Sequence, residues 1–170
     1  MLEIFNTLEP FFKENYRRIN VREYARIQKI SPPSSSKRLE QFNKEGLLEK
    51  EEERNYIFYI ANKKNRVFIT LSQTYWCQQF KKIGLLPYLE QELINPTIIL
   101  FGSFAKAEIT KNSDIDLAIF SNTKKKLDVS SFEKKSGRKI QIFYFLRKEE
   151  LKNKELFNNI LNGFKVGGNW

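Results

Sequence analysis

The stretch from Ile98 to Phe120, IILFGSFAKAEITKNSDIDLAIF, constrains this chain more than any other. It predicts a buried strand, a Gly-Ser turn with a short helix and a polar loop, and a second strand that carries Asp114 and Asp116. Side chains at positions i and i+2 of a strand leave the same face, about 6.6 Å apart at roughly 3.3 Å per residue. Two carboxylates so placed can share a hard divalent cation that keeps positions open for substrate phosphates. The other face of the strand is apolar and predicts a core anchor made of Ile115, Leu117 and Ile119.

The Gly-Ser turn before the second strand predicts the other half of a site. Gly102 lets the backbone approach a ligand closely because it has no Cβ. Ser103 then opens a helix whose free N–H groups favour phosphate oxygens. We expect further contacts to a nucleotide from three residues in or beside the loop, Lys106, Lys111 and Ser113.

The spacing Gly-Ser, ten residues, Asp-x-Asp, with a hydrophobic strand before each half, resembles the signature of the nucleotidyltransferase superfamily. It is similar in particular to the minimal nucleotidyltransferases of the polymerase-beta-like fold, over Thr97–Phe120 and more weakly to Phe145. The resemblance implies Mg²⁺ or Mn²⁺ as cofactor, an NTP as substrate or ligand, and Asp114 and Asp116 as catalytic metal ligands. The plain alternative is a strand with solvated aspartates after an ordinary glycine turn.

The sequence departs from this family pattern at two points. Relatives commonly place a third carboxylate, a metal ligand and proton acceptor, on the strand that corresponds to Lys139–Leu146. The matching residue here is Gln141, whose carbonyl can face a metal but which cannot act as a base. Ala107 also stands where relatives often have glycine. The nearby acids Asp128 and Glu133 fall in a predicted loop and helix, so the chain is either a slow transferase or a nucleotide sensor.

Residues 1–65 are predicted to form a winged helix-turn-helix. Amphipathic helices are expected over Leu2–Tyr16 and Val21–Ile30, the second capped by Asn20. Ser31-Pro32-Pro33 is interpreted as the end of that second helix, because proline does not continue a helix. A third helix is expected over Ser34–Glu45, followed by a hairpin that turns at Arg54-Asn55.

The segment ISPPSSSKRLEQFNKEGLL resembles the turn and recognition helix of winged-helix regulators. This resemblance implies that the N-terminal residues of the third helix enter the major groove of duplex DNA. The implied DNA-binding residues are Ser34, Ser35, Ser36, Lys37, Arg38 and, on the wing, Arg54. The alternative is a module for protein docking or dimerisation, which the acidic wing run Glu51-Glu52-Glu53 favours because it repels phosphates.

We therefore expect an α+β protein in three parts. A winged helix-turn-helix covers 1–65, a helical linker covers 66–94, and a small nucleotidyltransferase-like domain with a mixed sheet covers 95–170. That sheet is expected to have three strands, the last over Lys139–Leu146. Helical segments are expected over Arg147–Lys152 and Glu155–Asn162, with a frayed tail from Gly163 to Trp170.

The amino-acid composition favours some classes of function and excludes others. The 170-residue chain has a net charge of +10, which favours a polyanionic partner such as DNA or a nucleotide, although a lysine-rich solvated surface gives the same charge. It has no histidine, which excludes a Ser-His-Asp triad and a His-ligated zinc site. One cysteine and no membrane-spanning run indicate a cytoplasmic protein.

Two functions follow as hypotheses. The first is Mg²⁺-dependent transfer of a nucleoside monophosphate from an NTP to an acceptor, which can be a protein as in antitoxin-like relatives that modify a partner. The second is a DNA-binding transcriptional regulator, weak or inactive in catalysis, that senses a nucleotide or a partner protein. A homodimer through the linker helices is compatible with both.

Overall fold

The structure is a computed structural model that describes residues 3–123, 125–147, 150 and 152–168. It divides into two compact units, residues 1–72 with 107–111, and residues 73–106 with 112–170. The elements in chain order are α1 (Glu3–Lys13), α2 (Val21–Gln28), α3 (Pro32–Lys44), β1 (Leu48–Glu53), β2 (Tyr56–Ala61), α4 (Arg66–Lys82), α5 (Leu85–Glu92), β3 (Thr97–Phe101), α6 (Ser103–Lys106), β4 (Ile115–Phe120), α7 (Ser130–Ser136), β5 (Ile140–Phe145), α8 (Lys154–Leu161) and β6 (Phe164–Gly167).

The N-cap residues of helices α2 and α3 determine where these helices begin. The side chain of Asn20 accepts a hydrogen bond from the backbone N–H of Glu23, so the predicted cap of α2 is confirmed. The expected start of α3 at Ser34 is wrong, because the helix begins at Pro32 with Ser31 as its cap. Proline is favoured in the first turn of a helix, where the N–H groups have no partner within the helix. The two prolines therefore start α3, and α2 has already ended at Gln28.

The hairpin of the first unit matches the predicted one at its turn. Strands β1 and β2 pair antiparallel with Glu53 opposite Tyr56, which leaves Arg54 and Asn55 as the two loop residues. Both loop residues adopt left-handed backbone angles, with φ of 47° and 68°. This is the pattern of a two-residue turn whose twist matches the twist of the strands it joins.

A buried asparagine fixes the segment 107–111 within the first unit. Asn15 is fully buried, its N–H donates to the carbonyl of Ile109 over 2.8 Å, and its Oδ1 accepts from the N–H of Ile109 over 2.6 Å. Its Nδ2 donates to the carbonyl of Phe11 over 2.8 Å. Ile109 and Ala107 are also fully buried. The buried side chain of Asn15 thus satisfies two backbone groups, and together with its own backbone N–H it fixes the position of the segment that it holds.

The second unit is built on a mixed sheet, and its described strands follow the order β5-β4-β3-β6. Strand β4 pairs antiparallel with β3 and parallel with β5, and β6 pairs antiparallel with β3. The α+β class and the mixed sheet agree with the sequence prediction. Every residue of β3 is buried, as expected for a central strand covered on both faces. The predicted anchors of β4, Ile115, Leu117 and Ile119, are each fully buried.

The expectation of three strands followed by a frayed tail is wrong, because Phe164–Gly167 forms the fourth strand. Val166 is buried and gives this short strand its anchor. Gly167 lies so close to the side chain of Ile98 that a Cβ would be only 3.3 Å from Cδ1 of that residue. Residues 169 and 170 of the predicted tail lie outside the described residues, as do 148, 149 and 151 of the predicted helix Arg147–Lys152.

One face of the sheet carries a cluster of apolar side chains around β4. Its buried members are Ile99, Phe101, Ala118 and Ile160, the last of them from α8. Phe120, Phe143, Phe145 and Leu156 pack against the cluster and remain half-buried. Among the described helices, none combines the length and the hydropathy that a membrane crossing requires.

Candidate active site

The Gly-Ser turn lies directly against one of the two aspartates. Gly102 follows β3 in a left-handed conformation, with φ of 67°. A Cβ at this position would collide with Oδ2 of Asp116. Glycine is therefore required for two reasons, the backbone angle and the space occupied by the carboxylate. The close approach expected of Gly102 is made to Asp116 itself.

Asp116 is the second residue of β4, and Asp114 directly precedes the strand and lies near it. Asp116 pairs with Phe101 of β3 on one side and with Gln141 of β5 on the other. It is half-buried, and burial raises the pKa of its carboxyl, with the charge of Asp114 as a second cause. Burial and the neighbouring negative charge both disfavour the ionised form of Asp116. A bound cation offsets both, so the two carboxylates favour cation binding.

Gln141 lies beside this pair, as the strand assignment predicted. Strands β4 and β5 run parallel with Asp116 opposite Gln141. The amide Nε2 of Gln141 donates a hydrogen bond of 2.8 Å to Oδ2 of Asp114. The glutamine thus contacts the carboxylate pair as a donor, and it has no group that accepts a proton at neutral pH.

No third carboxylate joins the pair within the part of the chain that the structure describes. Groups of three or more His, Cys, Asp or Glu side chains able to hold a metal are absent there. Oε1 of Glu133 accepts from the N–H of Ile140 over 2.9 Å. Oδ1 of Asp128 accepts from the N–H of Ser130 over 3.0 Å. These two acids therefore bind backbone groups near α7 and β5.

The other residues predicted to contact a nucleotide lie in different parts of the fold. Ser103 begins α6 directly after Gly102. Nζ of Lys106 donates to Oδ1 of Asn159 in α8 over 3.1 Å. Lys111 is exposed and belongs to the first unit, so its role at a nucleotide stays a prediction. The structure thus brings Gly102, Ser103, Asp114 and Asp116 together.

Comparison with protein families gives one match in this region. Residues 85–163 match the family model described as Polymerase beta, Nucleotidyltransferase. The matched segment includes the Gly-Ser turn, both aspartates and Gln141, and it supports the nucleotidyltransferase resemblance of the motif. Comparison with curated proteins and with solved structures gave no match.

Arg138 supports the nucleotidyltransferase-like site, and sequence reasoning missed it. Its guanidinium lies over the rings of Phe104 and Trp76, 5.3 and 5.8 Å from their centroids. Nη1 donates a hydrogen bond of 2.9 Å to the carbonyl of Ser113, the residue before Asp114. Ser113, expected to contact a nucleotide, thus has its carbonyl engaged by Arg138. These contacts join distant parts of the sequence, so no local pattern indicates them.

A group of four aromatic side chains, which we call the aromatic ledge, borders the site and consists of the buried Phe101 and the half-buried Phe120, Phe143 and Phe145. Phe101 and Phe143 meet edge to face with their centroids 5.3 Å apart. Phe120 and Phe145 are stacked at the same centroid distance. Ala118, which pairs with Phe143, is small enough to let Phe143 reach Phe101 across β4. Sequence reasoning assigned these residues only to strands.

The residues predicted to bind DNA are divided between surface and interior. Ser34 and Lys37 are exposed, and Ser36 is half-buried. Ser35 is fully buried, so its predicted contact with DNA is wrong. Its position, four residues before the buried Leu39 and seven before Phe42, places it on the inner face of α3.

The two predicted arginines differ in their surroundings. Arg38 is half-buried, and its Nη2 lies 3.1 Å from Oε1 of Glu3. Arg54 is exposed at the tip of the hairpin. Arg18 pairs with Glu51 and Glu53 of β1 at 2.9 and 2.7 Å. This pairing neutralises part of the acidic run that sequence reasoning expected to repel phosphates.

Proposed function

We propose that the C-terminal region binds an NTP with Mg²⁺ or Mn²⁺ and transfers its nucleoside monophosphate to an acceptor. The observation that carries this proposal is the position of Asp116, which faces Gly102 across the sheet and lies two residues after Asp114. This is the arrangement that a carboxylate-held cation and a triphosphate need at one site. The family match over residues 85–163 supports it.

The residues present fit a divalent metal. Asp114 and Asp116 would hold it, since Mg²⁺ usually takes one or two carboxylates together with substrate phosphates. The metal, when bound, would stabilise charge on the entering and leaving oxygens of the displacement. Gly102 leaves room beside Asp116 for the triphosphate because it has no side chain. Ser103, Lys106, Lys111 and Ser113 remain our candidates for further contacts to the nucleotide.

In the proposed reaction, the acceptor oxygen forms a bond to the α-phosphorus, the bond from that phosphorus to the bridging oxygen breaks, and pyrophosphate leaves. The proton of the acceptor hydroxyl goes to water or to a base on the acceptor, because Gln141 cannot take it. General base assistance typically contributes 10²–10⁴-fold to rate. The transfer is therefore expected to be slow until an acceptor supplies that base.

Gln141 also favours a second candidate function. A domain that holds metal and nucleotide but lacks a carboxylate to accept the acceptor's proton is suited to sensing a nucleotide or a partner protein. In that case the N-terminal unit would act as the output module of a transcriptional regulator.

For the N-terminal unit, we propose a winged helix-turn-helix that binds duplex DNA. The order of three helices and a hairpin supports it, with α3 as the recognition helix. The net charge of +10 favours a polyanionic partner. We further propose a cytoplasmic protein, a protein acceptor such as a toxin partner, and a homodimer as the working assembly.

Incubation with an NTP labelled at the α-phosphate tests the transferase proposal. With Mg²⁺ and a set of candidate protein and nucleic acid acceptors, we expect label on one acceptor and release of pyrophosphate. The Asp114→Asn, Asp116→Asn double variant should give neither. Tight binding of the NTP without any transfer would favour the sensor.

A further inference from the structure

The aromatic ledge continues the proposed site along the sheet. Phe143 and Phe145 follow Gln141 at i+2 and i+4 on β5, so all three side chains leave the same face. Phe120 follows Asp116 at i+4 on β4 and pairs with Phe145. Phe101 lies directly opposite Asp116, and Phe143 lies about 6.6 Å further along the sheet, at roughly 3.3 Å per residue.

The two sides of the ledge are covered unequally. Helix α8 packs against β3, and its Ile160 and Leu156 belong to the apolar cluster that contains Ile99 and Phe101. Phe101 is accordingly 5% exposed. Phe143 and Phe145 stand on β5, the outermost strand at that side of the described sheet, and both are half-buried. Flat aromatic surface therefore remains accessible on the β5 side, next to the carboxylate pair.

We propose that the aromatic ledge is the subsite for the nucleobase of the NTP, with Phe143 as its main contact. This inference rests on the proposed function, because the base must belong to a nucleotide whose phosphates lie at Asp114 and Asp116. Aromatic side chains bind bases by stacking, which every base permits because every base has a π-face. The four phenylalanine side chains carry no hydrogen-bonding atom, so the ledge accepts purines and pyrimidines alike.

The test compares ligands with and without a base. Calorimetry with Mg²⁺ measures the affinities for ATP, CTP and inorganic tripolyphosphate in wild type, Phe143→Ala and Phe143→Leu. We expect Phe143→Ala to weaken ATP and CTP about tenfold, which corresponds to about 1.4 kcal/mol. Tripolyphosphate affinity should stay unchanged. Phe143→Leu, which keeps apolar bulk without the ring, should lose most of the same affinity while retaining the fold.

The outcomes distinguish failure of the nucleobase subsite from failure of the proposed function. If wild type binds ATP and tripolyphosphate equally, or if both variants bind ATP like wild type, the ledge is not the base subsite although the proposed function stands. If wild type binds neither ligand, the proposed function fails and the inference fails with it. If Phe143→Leu changes the sedimentation coefficient, a second copy of the chain covers the ledge and the inference is overturned.

Discussion

Nε2 of Gln141 donates a hydrogen bond of 2.8 Å to Oδ2 of Asp114, so an amide, and not a third carboxylate, lies beside the aspartate pair. The parallel register of β4 and β5 puts this amide on the carboxylate face, opposite Asp116. It satisfies one carboxylate oxygen by donation and leaves the site with two formal negative charges. In the function we propose, this amide is the reason to expect slow transfer or nucleotide sensing, because it cannot accept the proton of an acceptor.

The substitution Gln141→Asp is expected to tighten Mg²⁺ binding and to raise transfer to an acceptor. It places a third carboxylate on the same face, and a cation offsets the repulsion among the three. Without Mg²⁺ the variant should unfold at lower urea than wild type, because that repulsion is then uncompensated. Gln141→Asn is the matched control, since it shortens the side chain equally without adding charge. Equal Mg²⁺ affinity in all three proteins would show that residue 141 does not face the metal.

Asp116→Asn is expected to stabilise the magnesium-free protein at pH 7. Burial, assisted by the charge of Asp114, raises the pKa of Asp116, so its ionised form costs stability in the folded state. That cost is present at neutral pH and is lost as the pH falls through the raised pKa towards the ordinary value. Urea unfolding in EDTA should therefore show a gain at pH 7 that shrinks on acidification. A variant less stable than wild type at pH 7 would contradict this interpretation.

Two glycines with nearly the same backbone angle provide a controlled test of the turn. Gly102 and Gly137 have φ of 67° and 68°, but a Cβ on Gly137 meets nothing within 4 Å. Gly137→Ala should cost only the left-handed conformation, roughly 1–2 kcal/mol. Gly102→Ala should cost more and should also weaken Mg²⁺ binding, because its Cβ displaces Asp116. Equal losses of stability with unchanged metal affinity would indicate that Asp116 moves away freely.

The exposed end of α3 gives a prediction about DNA. We expect duplex binding that weakens steeply with salt through counterion release. Lys37→Ala should reduce the salt slope by about 1, whereas Lys44→Ala, at the other end of α3, should leave it unchanged. Arg38→Ala should cost about 1–3 kcal/mol and relax specificity at one position if Arg38 reads a guanine. Absence of any salt-dependent shift would favour the protein-docking alternative.

The features that could be predicted from the sequence are those fixed by short-range rules. The alternating pattern predicted that Asp116 lies opposite the apolar anchors of β4, and Asp114 lies near it although the strand begins only at Ile115. Arg54-Asn55 marked the hairpin turn because only two residues separate the strands. The same local reasoning misplaced the start of α3, because proline ends one helix and begins another equally well.

Contacts between residues that are far apart in the sequence could not be predicted from such local patterns. Asn15 is 94 residues from Ile109, and Arg138 is 25 residues from Ser113. Neither position carries a pattern that names its partner. Strand β6 was missed because only Phe164 and Val166 give it an apolar signal, and its pairing with β3 supplies the rest.

The central claim is that Asp114 and Asp116 together hold a divalent cation and an NTP, and the most direct test is calorimetric titration with ATP. Wild type and the Asp114→Asn, Asp116→Asn double variant are compared with Mg²⁺ and with EDTA. We predict that wild type binds ATP only when Mg²⁺ is present and that the double variant, folded and at least as stable, binds it in neither buffer. Equal ATP affinity in the two proteins would contradict the account.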